Sequence, residues 1–160
     1  MLVGLTPERS RAIEDVLLDF LVKAEAEATV LCDKGGNIIA EYAVADLGCT
    51  PNMAALSAGS FFATREIATM IGEPEFRQVF HEGGRKGLYM QLTGTDHLLV
   101  VVFGERTNPG LVKLFGEETA ALLDQCLKEA ESDSLNERFG EIALPSQEEA
   151  KPLFGGAASG

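Results

Sequence analysis

The first apolar periodicity along the chain is helical. Ile13, Val16, Leu17, Phe20, Leu21 and Ala24 recur at intervals of three and four behind Thr6-Pro7-Glu8. A threonine hydroxyl caps free amides and proline suits the first helical position, so the pattern predicts an amphipathic helix over residues 7–26. Two β-prone runs follow, Ala28-Thr29-Val30-Leu31-Cys32 and Asn37-Ile38-Ile39-Ala40-Glu41-Tyr42, separated by Asp33-Lys34-Gly35-Gly36. Residues that tolerate positive φ between two such runs predict a tight antiparallel hairpin.

Thr50-Pro51 repeats the start signal, and an alanine-rich stretch continues to Ile71 before Gly72. At 100° per residue, Met53, Leu56, Ser60, Ile67 and Ile71 share a side, which is expected to face the core. The opposite side carries Ala55, Ala58, Gly59, Phe62, Glu66 and Thr69. Its small middle is expected to meet another backbone closely.

Three further β-like segments, 76–82, 87–93 and 97–103, are punctuated by Gly83-Gly84-Arg85-Lys86 and Gly94-Thr95-Asp96 and predict a three-stranded meander. Leu98–Phe103 is apolar on both alternating faces, as a central strand covered on both sides would be. Asn108-Pro109 opens a last helix to about residue 131. The order α-β-β-α-β-β-β-α predicts an α+β fold: one five-stranded antiparallel sheet with helices on both faces.

The chain has 160 residues, 46% of them apolar, enough for one compact domain, here 6–131, and a terminal extension. Residues 132–160 carry five acids and two bases and end in Gly155-Gly156-Ala157-Ala158-Ser159-Gly160, so a flexible acidic tail is expected. Phe139, Ile142, Leu144, Leu153 and Phe154 are apolar islands within it and candidate docking points. With 25 acidic against 13 basic residues the net charge is −12, which argues against a nucleic-acid binder. Leu98–Phe103 is the longest apolar run, far short of a membrane span, and Met1–Leu5 lacks the build of a secretory signal. A cytoplasmic protein without membrane insertion is expected.

Candidate chemistry is sparse. Cys32, Cys49 and Cys126 match neither a zinc pattern nor a disulfide framework and are expected to be reduced. Ala55-Leu56-Ser57-Ala58-Gly59 approximates a nucleophile elbow, but Ser57 falls inside a helix instead of on a strand-to-helix turn. His81 and His97 neighbour Glu82 and Asp96, yet adjacent strand residues point to opposite faces and form no preset dyad. Gly83-Gly84-Arg85-Lys86-Gly87 lacks the phosphate-loop spacing and precedes a strand, so a hairpin turn is expected. Arg65, Arg85 and Arg106 could be lent to another protein's active site, although solvated arginines are commoner. The residues thus predict a binding module without catalytic residues, cofactor or metal.

Val30-Leu31-Cys32-Asp33-Lys34-Gly35-Gly36-Asn37-Ile38-Ile39, Leu56-Ser57-Ala58-Gly59, Phe80-His81-Glu82-Gly83, Gly87-Leu88-Tyr89-Met90 and Leu98–Phe103, in this order and spacing, resemble the Roadblock (dynein light chain 7) family. The likeness covers residues 7–130 and is greatest to its MglB-like bacterial members, which serve gliding motility and cell polarity, over Phe76–Leu114. The resemblance implies a Roadblock/profilin-like fold and a homodimer in which the second helix and the adjacent edge strand join two sheets. Ala55, Ala58 and Gly59 would then lie at the dimer interface. It also implies binding of the GTP form of a Ras-like small GTPase of MglA type, with hydrolysis accelerated by repositioning the GTPase's own catalytic residues. Phe61, Phe62, Arg65 and Glu66 depart from the small residues usual in MglB-like members. Candidate GTPase contacts are Ala58, Phe62, Arg65, Glu66 and Thr69. The competing reading is a scaffold of the same fold that binds a GTPase or signalling complex without stimulating hydrolysis.

Overall fold

A computed structural model describes residues 4–48 and 50–140. In chain order it contains α1 (Pro7–Lys23), β1 (Ala28–Asp33), β2 (Ile38–Ala43), α2 (Thr50–Met70), β3 (Gln78–Glu82), β4 (Gly87–Thr93), β5 (His97–Phe103) and α3 (Pro109–Gly140). The strands form one sheet in the order β2-β1-β5-β4-β3, and every neighbouring pair is antiparallel. The expected α+β architecture is therefore the one observed.

Local chemistry accounts for the element ends. Thr6 Oγ1 accepts from the Arg9 amide at 3.2 Å and opens α1. The helix stops three residues short of the expected end because Glu25 takes φ +49° and the Ala26 amide turns back to the Leu21 carbonyl. Asn108 caps α3, its side-chain oxygen accepting from the Leu111 amide at 3.0 Å. In the β1–β2 turn, Asp33 Oδ1 accepts from the amides of Gly35 and Asn37, both at 2.9 Å. Gly36 sits there at φ +83°, and a Cβ on it would lie 2.5 Å from the Ala55 Cα, so only glycine lets the hairpin rest against the start of α2.

The sheet separates two cores. On one face α1 and α3 bury Ile13, Leu17, Phe20, Leu123 and Leu127 against Leu31, Tyr89, Leu99 and Val101. On the other, α2 alone buries Ala54, Ala58 and Phe61 against Val30, Cys32, Met90, Leu92, Leu98 and Val100. Alternate residues of β5 thus enter opposite cores, and all six from Leu98 to Phe103 are buried, as a strand apolar on both faces requires.

Two expectations are corrected. Helix α3 does not end near residue 131 but continues to Gly140, because nothing between Gly116 and Gly140 breaks a helix and Arg9 ties the later turns to α1. Its guanidinium pairs with Glu129 and, at 2.7 Å, with Asp133. Ser132 and Phe139 therefore belong to the helix, while Ile142, Leu144, Leu153 and Phe154 lie outside the described residues. The second correction is the phase of α2. Leu56, Ile67 and Ile71 are 74%, 58% and 78% exposed, so the side expected to be core faces solvent, and Ala54, Ser57, Ala58, Phe61 and Ala68 are buried instead.

Candidate interaction face

The corrected phase leaves an exposed apolar surface on α2. Leu56, Ile67 and Met70 form its outer stripe, continued by Ile71 just past the helix end, with Gly59 also exposed beside them. Among the described residues helix α2 is the sole cover on its side of the sheet, and Phe76, Val79 and Leu88 beside it are only partly buried. Strand β3 bounds this side and, among the described residues, has β4 as its single neighbour, leaving its outer row of N–H and C=O groups without a strand partner there. An apolar helix next to an open strand edge is an arrangement suited to binding another protein.

The candidate residues distribute unevenly over this face. Ala58 is 1% exposed and packs on the protomer's own sheet, which leaves it little surface to offer another chain. Ala55 and Gly59 are exposed, and nothing lies within 4 Å of where a Gly59 Cβ would stand. Phe62 is half-buried beneath the Lys34 ammonium, 5.5 Å from the ring centroid. Arg65 donates to the Thr95 carbonyl at 3.2 Å, so its guanidinium is held over the β4–β5 turn. Glu66 and Thr69 are exposed, and the Thr69 hydroxyl donates to the Arg65 carbonyl one turn back. Lys34 is an addition from the geometry; its only mark in the sequence is its place beside Gly35-Gly36, in a turn that folds onto α2.

The groups considered for chemistry are not assembled into a reactive site. Ser57 is buried within α2, away from any strand-to-helix turn. His81 is exposed on edge strand β3, and His97 is on β5, paired with Thr93 and Asp33. Burial pushes the His97 pKa below its ordinary value despite the opposing pull of Glu131, Asp33 and Asp96. Cys32 is buried, and desolvation pushes its thiol up to about 12, so it is not a nucleophile at neutral pH. Arg85 and Arg106 are exposed at the far end of the sheet from the β1–β2 turn. Among the described residues no His, Cys, Asp and Glu cluster could hold a metal, and no helix is long and apolar enough to cross a membrane.

Comparison with known proteins places this arrangement. A gliding protein MglB from Thermus thermophilus is 30% identical, with 79% of this chain and 96% of that one superposing at a TM-score of 0.75. Myxococcus xanthus MglB is 32% identical, with coverage of 80% and 96% and a TM-score of 0.73. A protein of Aquifex aeolicus (strain VF5) is 28% identical over 137 residues, 82% of this chain and 84% of its own length. The Roadblock/LC7 domain pattern matches residues 12–103, from α1 to the end of β5. The chain is a member of the Roadblock/LC7 domain family.

Proposed function

We propose that this protein is a homodimeric regulator of a Ras-like small GTPase of MglA type, acting in cell polarity or motility as a GTPase activator in the cytoplasm. The observation that carries the reading is the exposed apolar stripe of α2 beside the free edge of β3, in a chain about as similar to two MglB proteins as those figures describe. In a dimer, two β3 edges pair and complete each other's ladders, while Ala55 and Gly59 lie where two α2 helices approach. Phe62, Arg65, Glu66 and Thr69, with Lys34 added by the geometry, supply the GTPase contact. The apolar residues Phe139, Ile142, Leu144, Leu153 and Phe154 would add a docking segment.

No catalytic residue is needed for such activation. A dimer that binds the hydrolysis-competent arrangement of the GTPase's own residues more tightly shifts the population toward it. Converting a switch from mostly incompetent to mostly competent requires about 5.5 kcal/mol of differential binding, which one interface can supply. The test is phosphate release from an MglA-type GTPase of the same organism with this protein at a tenth of its concentration. Multiple-turnover acceleration is expected, and it should be lost in a Phe62→Ala, Arg65→Ala variant. Tight binding to the GTP form without acceleration would establish the scaffold reading instead.

A further inference from the structure

A second surface lies on the opposite face of the sheet. Helix α3 covers β4 and β5 through Val112, Gly116, Thr119, Ala120 and Leu123 but stops short of the edge strand, leaving a groove between α3 and β3. Its volume is about 610 Å³, within the range of about 300–1,000 Å³ usual for ligand sites. Ala120 and Ala121 form a small-residue wall on α3.

The floor is polar and built. Gln78 and Gln91 stand opposite each other in the β3–β4 register, and Gln91 is 5% exposed although it lines the groove. Its Oε1 accepts from the Tyr89 hydroxyl at 2.6 Å, which fixes the amide, and its Nε2 donates to the Leu92 carbonyl at 3.2 Å. An amide nitrogen has two hydrogens, and among the described residues the second has no acceptor. A peptide carbonyl would satisfy it.

The rim is anionic. Glu73 and Glu75 flank one side, Glu117 and Asp124 the other, against Arg77 as the sole cation lining the groove. Asp124 already pairs with Lys128 at 2.8 Å, whereas Glu73, Glu75 and Glu117 make no ion pair among the described residues. We infer that the α3–β3 groove binds a cationic peptide segment of a partner protein, with backbone carbonyls on the Gln78 and Gln91 amides, an aliphatic side chain against Ala120 and Ala121, and lysine or arginine side chains on the rim carboxylates. This surface is separate from α2 and does not depend on the GTPase reading.

The probe is a fluorescein-labelled octapeptide of alternating lysine and leucine, titrated against the full chain and followed by anisotropy. Micromolar binding is expected, weakening severalfold between 50 and 300 mM salt as screening shortens the reach of the rim charges. Glu117→Lys should weaken it at least tenfold, while Glu41→Lys, the same charge change on edge strand β2 at the other side of the sheet, should leave it within twofold. Chemical shifts of the Gln78 and Gln91 side-chain amides should move on titration. Equal loss in both variants would mean attraction to the overall negative charge alone and would overturn the proposal, as would absence of binding. A groove filled by a second copy would also overturn it: Glu117→Lys would then change the oligomeric state and the peptide would not bind.

Discussion

Gly116 lies inside α3, where alanine is ordinarily preferred to glycine by about 1 kcal/mol. Yet a Cβ at that position would run into the Tyr89 ring, which is fully buried with its hydroxyl committed to Gln91. The steric effect outweighs the propensity: Gly116→Ala should destabilise the fold by about 1–3 kcal/mol in urea titration. Gly59 offers the opposite case, since its Cβ position is open, so Gly59→Ala should gain about 0.5–1 kcal/mol in the isolated protomer. Neither sign is legible in the sequence, where both are glycines in helical stretches; only the neighbour across the gap distinguishes them. Cys32 lies in β1, where every residue from Ala28 to Cys32 is buried, and its burial has a consequence at high pH. Its thiol is pushed up to about 12 from an ordinary value of 9.0, chiefly by desolvation, and burial also raises the Tyr89 phenol. Raised values mean that the folded state holds these protons more tightly than the unfolded chain. Stability is therefore full below about pH 9 and falls as the pH climbs toward 12. Thermal unfolding at pH 8, 10 and 11 should show that decline, and Cys32→Val should make it shallower.

At the level of elements, the strands and the starts of α1 and α3 were readable because each carries its own signal: period-two alternation, a capping side chain, a glycine turn. Helix α2 was different. Its apolar residues surround the axis, with alanines on every side, so periodicity gave the helix but not its phase. The buried side was chosen by Phe61 packing on Phe76 and by the close approach of Gly36, contacts between segments remote in sequence. Of the side expected to face away from the core, Ala55, Gly59, Glu66 and Thr69 are consequently exposed, whereas Ala58 is buried. The length of α3 escaped for a related reason, because the amphipathic stripe fades after Ala130 while the helix is held on by Arg9. Removing that hold should be visible locally: in Arg9→Ala, backbone amides of residues 130–140 should exchange with deuterium faster than in the parent protein, with little change in β1, β4 and β5. Unchanged exchange there would mean that α3 sustains its last turns without the link to α1.

For the whole molecule, the resemblance visible in the sequence carried the fold and the family, whereas the location of exposed apolar surface required the coordinates. If α2 and β3 mediate self-association, Leu56→Lys or Gly59→Arg should yield a folded protomer with a dissociation constant raised at least tenfold in sedimentation equilibrium. A variant still dimeric at micromolar concentration would move the interface elsewhere. The strand order has a further consequence, for synthesis. Each hairpin can close as soon as its own residues emerge, but the central pairing joins β1 to β5, bringing Ala28 opposite Val102. At about 5–20 residues per second a ribosome needs roughly 4–15 s to cover that interval. Throughout it, β1 waits with one edge open and the apolar run Val30-Leu31-Cys32 uncovered, so the nascent chain spends seconds as a target for chaperones and for other nascent strands before the last strand inserts.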